Sequence, residues 1–149
     1  MSPLPNGISP GLILRHSQFY KNPDREWEAK FLIILAVAPG GDIIFRLLTS
    51  QSNSRPEQPR CYHGDPYPSY FLGILGKQLQ LNSWLDLRYA DDYDEDCFIR
   101  DLEAGILAPT FEVPRDLFCD ALTCVVGAED TTRQQEKAIR ELRAALNCE

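Results

Sequence analysis

The sequence predicts an α+β protein: a small, curled antiparallel β-barrel over about residues 11–90, followed by a helical C-terminal part over 91–149. Three observations predict it. Apolar runs of strand length fill the first half, turn-forming Pro and Gly residues separate them, and after Tyr93 the apolar spacing lengthens to about four. At 149 residues, with 44% hydrophobic and 25% charged side chains, the chain can bury one core and is too short for two domains of typical size.

The elements follow in order. Pro3, Pro5 and Pro10 make the N-terminus an extended lead-in, and it lacks the basic-then-apolar pattern of a secretory signal. Gly11 to Tyr20 is apolar and aromatic enough for a strand. Asn22-Pro23-Asp24 marks a turn, and Arg25 to Glu28 a charged loop. Lys30 to Val37 is a continuous apolar run, the pattern of a strand buried on both faces. Pro39-Gly40-Gly41-Asp42 then joins it to Ile43–Leu48, so the two runs read as a β-hairpin. Gln51 to Pro68 carries four prolines and reads as an irregular loop. Tyr70–Leu75 and Ser83–Tyr89 are further short strands.

Beyond Tyr93, Phe98, Leu102 and Ile106 recur every four residues, with Asp91 and Asp92 as candidate caps and Pro109 as the stop. Pro114 suits the first position of a second helix, whose apolar stripe of Leu117, Phe118, Ala121, Leu122 and Val125 ends at Gly127. Thr131 to Gln134 has capping-box spacing and opens a third helix reaching Asn147. Its Ile139, Leu142 and Leu146 face is expected to dock on the barrel or on a second subunit, because a helix of that length is marginal alone.

Composition narrows the function classes. No apolar run approaches the ~20 residues of a membrane-spanning helix, so no membrane partner is expected. A net charge of −7 argues against an extensive basic surface for nucleic acid, although it leaves room for a local basic groove. Five cysteines, an odd number, read as reduced thiols of a cytoplasmic protein. Cys61-Tyr62-His63 is the one close Cys/His pair, and no metal site or cofactor is expected. The acidic run Asp91 to Asp96 has calcium-loop spacing from Asp92, but Cys97 stands where that loop needs glycine. It reads instead as carboxylates at a helix N-terminus. His16 and His63 are isolated, each able to serve as a base or a substrate contact, or simply to be structural. No Gly-x-Ser-x-Gly, phosphate loop or His-Glu-x-x-His is present.

One constellation remains. Gly11-Leu12-Ile13-Leu14 precedes the polar loop Asn22–Glu28, Lys30-Phe31-Leu32-Ile33-Ile34-Leu35 follows, and the third run ends in Leu47-Leu48-Thr49-Ser50. Downstream lies Leu79-Gln80-Leu81-Asn82-Ser83-Trp84-Leu85-Asp86-Leu87. In this order of elements, over about residues 11–107, the chain resembles the MazF/PemK toxin family. The resemblance implies an SH3-like barrel, usually a homodimer, partnered by an antitoxin within a toxin–antitoxin system. It also implies endoribonuclease activity on single-stranded RNA without a metal. Thr49 would then donate to the scissile phosphate, with Lys30 or Arg25 as the stabilising cation and Ser50 and His16 as substrate contacts. Where the family has Arg-Pro, this chain has Lys30-Phe31, which keeps the charge but not the planar two-pronged donor of a guanidinium. The alternative is a non-catalytic protein-interaction module of the same fold, with Thr49 and Ser50 satisfying backbone groups at a strand end.

Overall fold

The structure, a computed structural model, describes residues 4–5, 7–77 and 79–148. Seven strands form one antiparallel sheet: β1 (Leu12–Lys21), β2 (Trp27–Val37), β3 (Ile43–Thr49), β4 (Cys61–Tyr62), β5 (Ser69–Gly73), β6 (Ser83–Asp86) and β7 (Leu107–Glu112). Their spatial order is β4-β5-β6-β3-β2-β1-β7. Three helices accompany them: α1 (Glu95–Glu103), α2 (Arg115–Val126) and α3 (Arg133–Ala145). The α+β class expected from the sequence is the one observed.

The sheet is covered on both faces, which explains the unbroken apolar run in β2. Ile33, Leu35 and Ala36 join Ile13, Ile44, Leu48 and Leu85 in the larger cluster, under α2 and α3. Leu32 and Ile34 join Leu12, Leu14, Ile43 and Phe45 in the smaller one, which Phe98 of α1 completes. That Leu35 and Ala36 share a face follows from a bulge, because Ile34 pairs with Phe45 and Ala36 with Ile44. At the β2–β3 turn, Ala38 N–H donates to Asp42 O at 2.8 Å, and Gly41 holds a φ of +102°. That positive φ is what requires glycine there; a Cβ would also displace the Glu95 carboxylate, which lies over the turn.

The first helix starts later than the sequence suggests. Asp94 is its cap, accepting from Cys97 N–H at 3.0 Å, whereas Asp91 and Asp92 precede it. It ends at Ala104, before Gly105 (φ +77°), and Pro109 lies within β7 instead of closing the helix. A proline is tolerated there because β7 is the edge strand beside β1. Pro114 is the cap residue of α2, one position before the first helical one. The capping box is likewise one residue on: Thr132 accepts from Gln135 N–H at 3.1 Å, and Gln135 Oε1 accepts from Thr132 N–H at 3.2 Å.

That displacement matters for packing. The side chain of Gln135 is buried and accepts from Nη2 of the fully buried Arg46 at 2.9 Å, while its Nε2 donates to Asp92 at 2.8 Å. Arg46 Nη1 donates to Phe45 O at 2.8 Å. Burial holds the Arg46 guanidinium below its ordinary pKa, partly offset by Asp92. Ile139 of α3 is fully buried and Leu142 and Leu146 pack beside it, so the helix docks on this chain's own sheet and α2.

The cysteines correct the expectation of reduced thiols. Cys61–Cys124 ties β4 to α2, and Cys119–Cys148 ties α2 to the segment after α3, leaving Cys97 free. Sequence separations of 63 and 29 hid both pairings. They also remove the thiol-based ground for a cytoplasmic location. Among the described residues, no helix is long and apolar enough to cross a membrane.

Candidate functional site

A groove of about 300 Å³ opens where the start of β2, the end of β3 and the segment leading into β6 meet. Lys30, Thr49 and Ser50 line it together, with Gln51, Leu81 and Ser83. Strand register accounts for the meeting. Phe31 pairs with Leu48, which sets Lys30 beside Thr49, and Thr49 pairs with Trp84 on its other side. Below them, Phe31, Leu48 and Leu79 belong to the helix-covered core, so the floor of the groove is fixed by packing.

The polar groups at the rim have definite roles. Thr49 Oγ1 accepts from Gln51 N–H at 3.1 Å, which turns the chain out of β3 and leaves the hydroxyl proton to donate elsewhere. Ser50 is exposed. Lys30 is half-buried, with Nζ 5.9 Å from the Tyr20 ring centroid, and Lys21 Nζ lies 5.0 Å from that of Trp27. Tyr20 and Trp27 are themselves exposed, so aromatic surface and two ammonium groups lie along the β1–β2 ribbon that leads away from the groove.

Two of the residues picked out from the sequence lie outside the groove. Arg25 sits at the tip of the β1–β2 connection with φ 65°, where Asn22 Oδ1 accepts from Asp24 and Glu26 N–H and fixes the turn. The strand from Trp27 to Lys30 alone spans ~10 Å, which separates the Arg25 backbone from the groove. His16 pairs with Lys30 in register, but its ring packs edge-on to Phe19 at 5.6 Å and lies 6.3 Å from Tyr93. Its Nδ1 accepts from Gln18 N–H at 3.2 Å. Burial lowers the His16 pKa, against the opposing pull of Asp101. Both features suit a packed strand histidine.

Lys30 is the one charged side chain among the described residues lining the groove. Ser83 Oγ donates to Leu81 O at 3.2 Å, so the arrangement can offer one cation and the two hydroxyls of Thr49 and Ser50 to an anionic group, beside an apolar rim at Leu81. Sequence reading missed the contribution of Gln51, Leu81 and Ser83. Leu81 and Ser83 both lie in the Leu79–Leu87 segment that carries part of the family resemblance, but a linear motif does not say that the segment walls a groove. Comparison of the chain with protein-family models, curated proteins and solved structures finds no match in any of the three.

Proposed function

We propose that this chain is a MazF/PemK-like toxin whose groove at Lys30, Thr49 and Ser50 cleaves single-stranded RNA. The single observation that carries the proposal is the convergence of those three side chains on one groove. In that reading the sheet is an SH3-like barrel, the protein is a cytoplasmic homodimer, and an antitoxin is its physiological partner. The ribose 2′-OH attacks the adjacent phosphorus, the P–O5′ bond breaks, and the 2′-OH proton passes by way of solvent to the leaving O5′, so that a 2′,3′-cyclic phosphate and a 5′-hydroxyl result. The Thr49 hydroxyl donates to a non-bridging oxygen, and the Lys30 ammonium balances the negative charge that gathers there. Ser50 contacts the neighbouring sugar–phosphate.

The test is cleavage of a panel of single-stranded RNAs by the isolated protein, in its disulfide-bonded and in its reduced form, with chelator present. Thr49→Ala and Lys30→Ala should each lower the rate by ~10²–10³, the usual cost of one donor aimed at a developing oxyanion, with melting unchanged. Undiminished cleavage by both variants refutes the site assignment.

A second reading, a protein-interaction module without catalysis, is favoured by the lone cation in the groove and the net charge of −7. Absence of cleavage across the panel selects it, with Leu81 and the exposed aromatic residues of the β1–β2 ribbon as the contact surface.

A further inference from the structure

Away from the groove, one cluster of metal-ligating chemistry is found among the described residues. Cys61, His63 and Cys124 bring two sulfurs and an imidazole nitrogen within 4.8 Å of one another. His63 Nε2 lies 3.3 Å from Cys61 Sγ and 3.6 Å from Cys124 Sγ. We propose that this cluster, once its disulfide is reduced, is a binding site for Zn²⁺, so that a disulfide and a zinc ion are alternative clamps between β4 and α2.

The geometry supports this directly. Zn–S distances of about 2.3 Å and a Zn–N distance of about 2.0–2.1 Å at tetrahedral angles place nitrogen and sulfur ~3.6 Å apart. The Cys124 separation of 3.6 Å meets that value before any movement, and the Cys61 separation of 3.3 Å is slightly shorter, so Cys61 Sγ has only to move back a little. Once the bond is broken, the sulfurs part to about 3.8 Å to complete one triangular face of the tetrahedron. His63 Nε2 now donates to Cys124 O at 3.0 Å. Metal binding moves that proton to Nδ1 and turns the freed lone pair on Nε2 towards the ion.

The exposed imidazole lies close over the end of α2. Gly127 caps α2 at φ −82°, a conformation open to any residue, yet a Cβ there would stand 3.0 Å from His63 Cε1. The absent side chain is thus room for the ring. His63 also borders a cavity of about 210 Å³ with Asp65, Glu129 and Asp130, from which a water or a carboxylate would supply the fourth ligand. The Cys119–Cys148 pair has no such third ligand among the described residues.

The conversion balances. A dithiol reductant gives two electrons and two protons to the Cys61–Cys124 bond and becomes a disulfide itself. Zn²⁺ then displaces the two thiol protons to solvent and is held by two thiolates and one imidazole. A cytoplasmic location would favour the zinc form and an oxidising compartment the disulfide form.

The test uses the full chain, reduced with a phosphine, stripped of metal and titrated with Zn²⁺ against a chromophoric chelator. One ion per chain should bind, none to the disulfide form, and none to Cys61→Ser or Cys124→Ser. His63→Ala should weaken binding by roughly tenfold or more. Cys119→Ser with Cys148→Ser should keep the stoichiometry, and Co²⁺ should give thiolate charge-transfer bands that vanish in Cys61→Ser. Reduction should lower the melting temperature, and Zn²⁺ should restore it in the wild type but not in His63→Ala. No uptake by the reduced chain, uptake indifferent to both His63→Ala and Cys61→Ser, or a reduced chain that zinc fails to restabilise overturns the proposal. None of these readouts depends on RNA cleavage.

Discussion

The helix-covered face of the sheet and the open end holding the groove are built from the same β2 and β3 strands, yet they are held very differently. On the covered face, Ile33, Ile44 and Leu48 share one core cluster with Ile139 and Leu122, Arg46 is locked to Gln135, and two disulfides pin α2 through Cys119 and Cys124. At the groove, the same strands end in Thr49, Ser50 and a half-buried Lys30 beside a Leu81 that is 64% exposed. The difference teaches that the groove floor is rigid because the opposite face is over-determined, while the rim side chains remain free to answer to a ligand. Stability and recognition should therefore respond to different substitutions.

The largest stability effect is expected at Ile139→Ala. Ile139 is fully buried between α3 and the sheet, so the substitution removes apolar burial and leaves a cavity in a region that disulfides prevent from collapsing freely. Urea unfolding under non-reducing conditions should show a loss of ~2–5 kcal/mol. A loss below that range would mean that α3 adds little to the covered face, and the contrast between the two regions would fail.

Next comes Gln135→Ala, expected to cost ~1.5–3 kcal/mol. The change leaves Arg46 Nη2 without its acceptor in a buried site where Nε already has no partner among the described residues. It also opens the capping box of α3. This residue shows what the sequence could and could not reveal. Thr131-Thr132 followed by Gln134-Gln135 offers two capping boxes in adjacent registers, and local spacing cannot choose between them. The choice is made by Arg46, 89 positions away, whose guanidinium needs an acceptor from α3. The β2–β3 hairpin, by contrast, was legible because its two apolar runs and its turn are contiguous. The edge strand β7 was not, because Pro109 in Leu107–Glu112 carries the same signal as a helix stop. Of the groove, Lys30, Thr49 and Ser50 were legible as strand ends. The separation of Arg25 and His16 from them depends on hairpin length and side-chain direction, which a linear motif does not encode.

Asp86, at the end of β6, gives a smaller, pH-dependent effect. Burial pushes its pKa up, but Arg88 donates from its backbone N–H at 3.0 Å and from Nη2 at 2.7 Å, and the net result lies below the ordinary 3.8. A carboxyl whose folded pKa is depressed contributes stability that is present above its unfolded value and lost as pH falls through the folded one. Arg88 is half exposed, so solvent screening limits the contribution to ~1 kcal/mol. Asp86→Asn should remove about that much at neutral pH and nothing once the pH is well below 3.8. Equal destabilisation of the variant at both pH values would show that the pair acts through shape and not through charge.

The smallest stability effect is expected at the groove, and there it is the most informative. Leu81→Ser deletes a large apolar side chain, as Ile139→Ala does, but from a rim position 64% exposed to solvent. Little apolar area returns to water, and no buried partner loses its packing, so the folding free energy should move by less than ~0.5 kcal/mol. Binding should behave in the opposite way. Leu81 shares the groove with Lys30, Thr49 and Ser50, and an apolar rim beside a cation is what a base or a partner's apolar side chain would meet. Affinity for single-stranded RNA, or for the protein partner if cleavage is absent, should therefore fall in Leu81→Ser while its unfolding curve overlays that of the wild type. A clear loss of stability in this variant would show that the rim is part of the core, and the division of labour between the two ends of β2 and β3 would have to be abandoned.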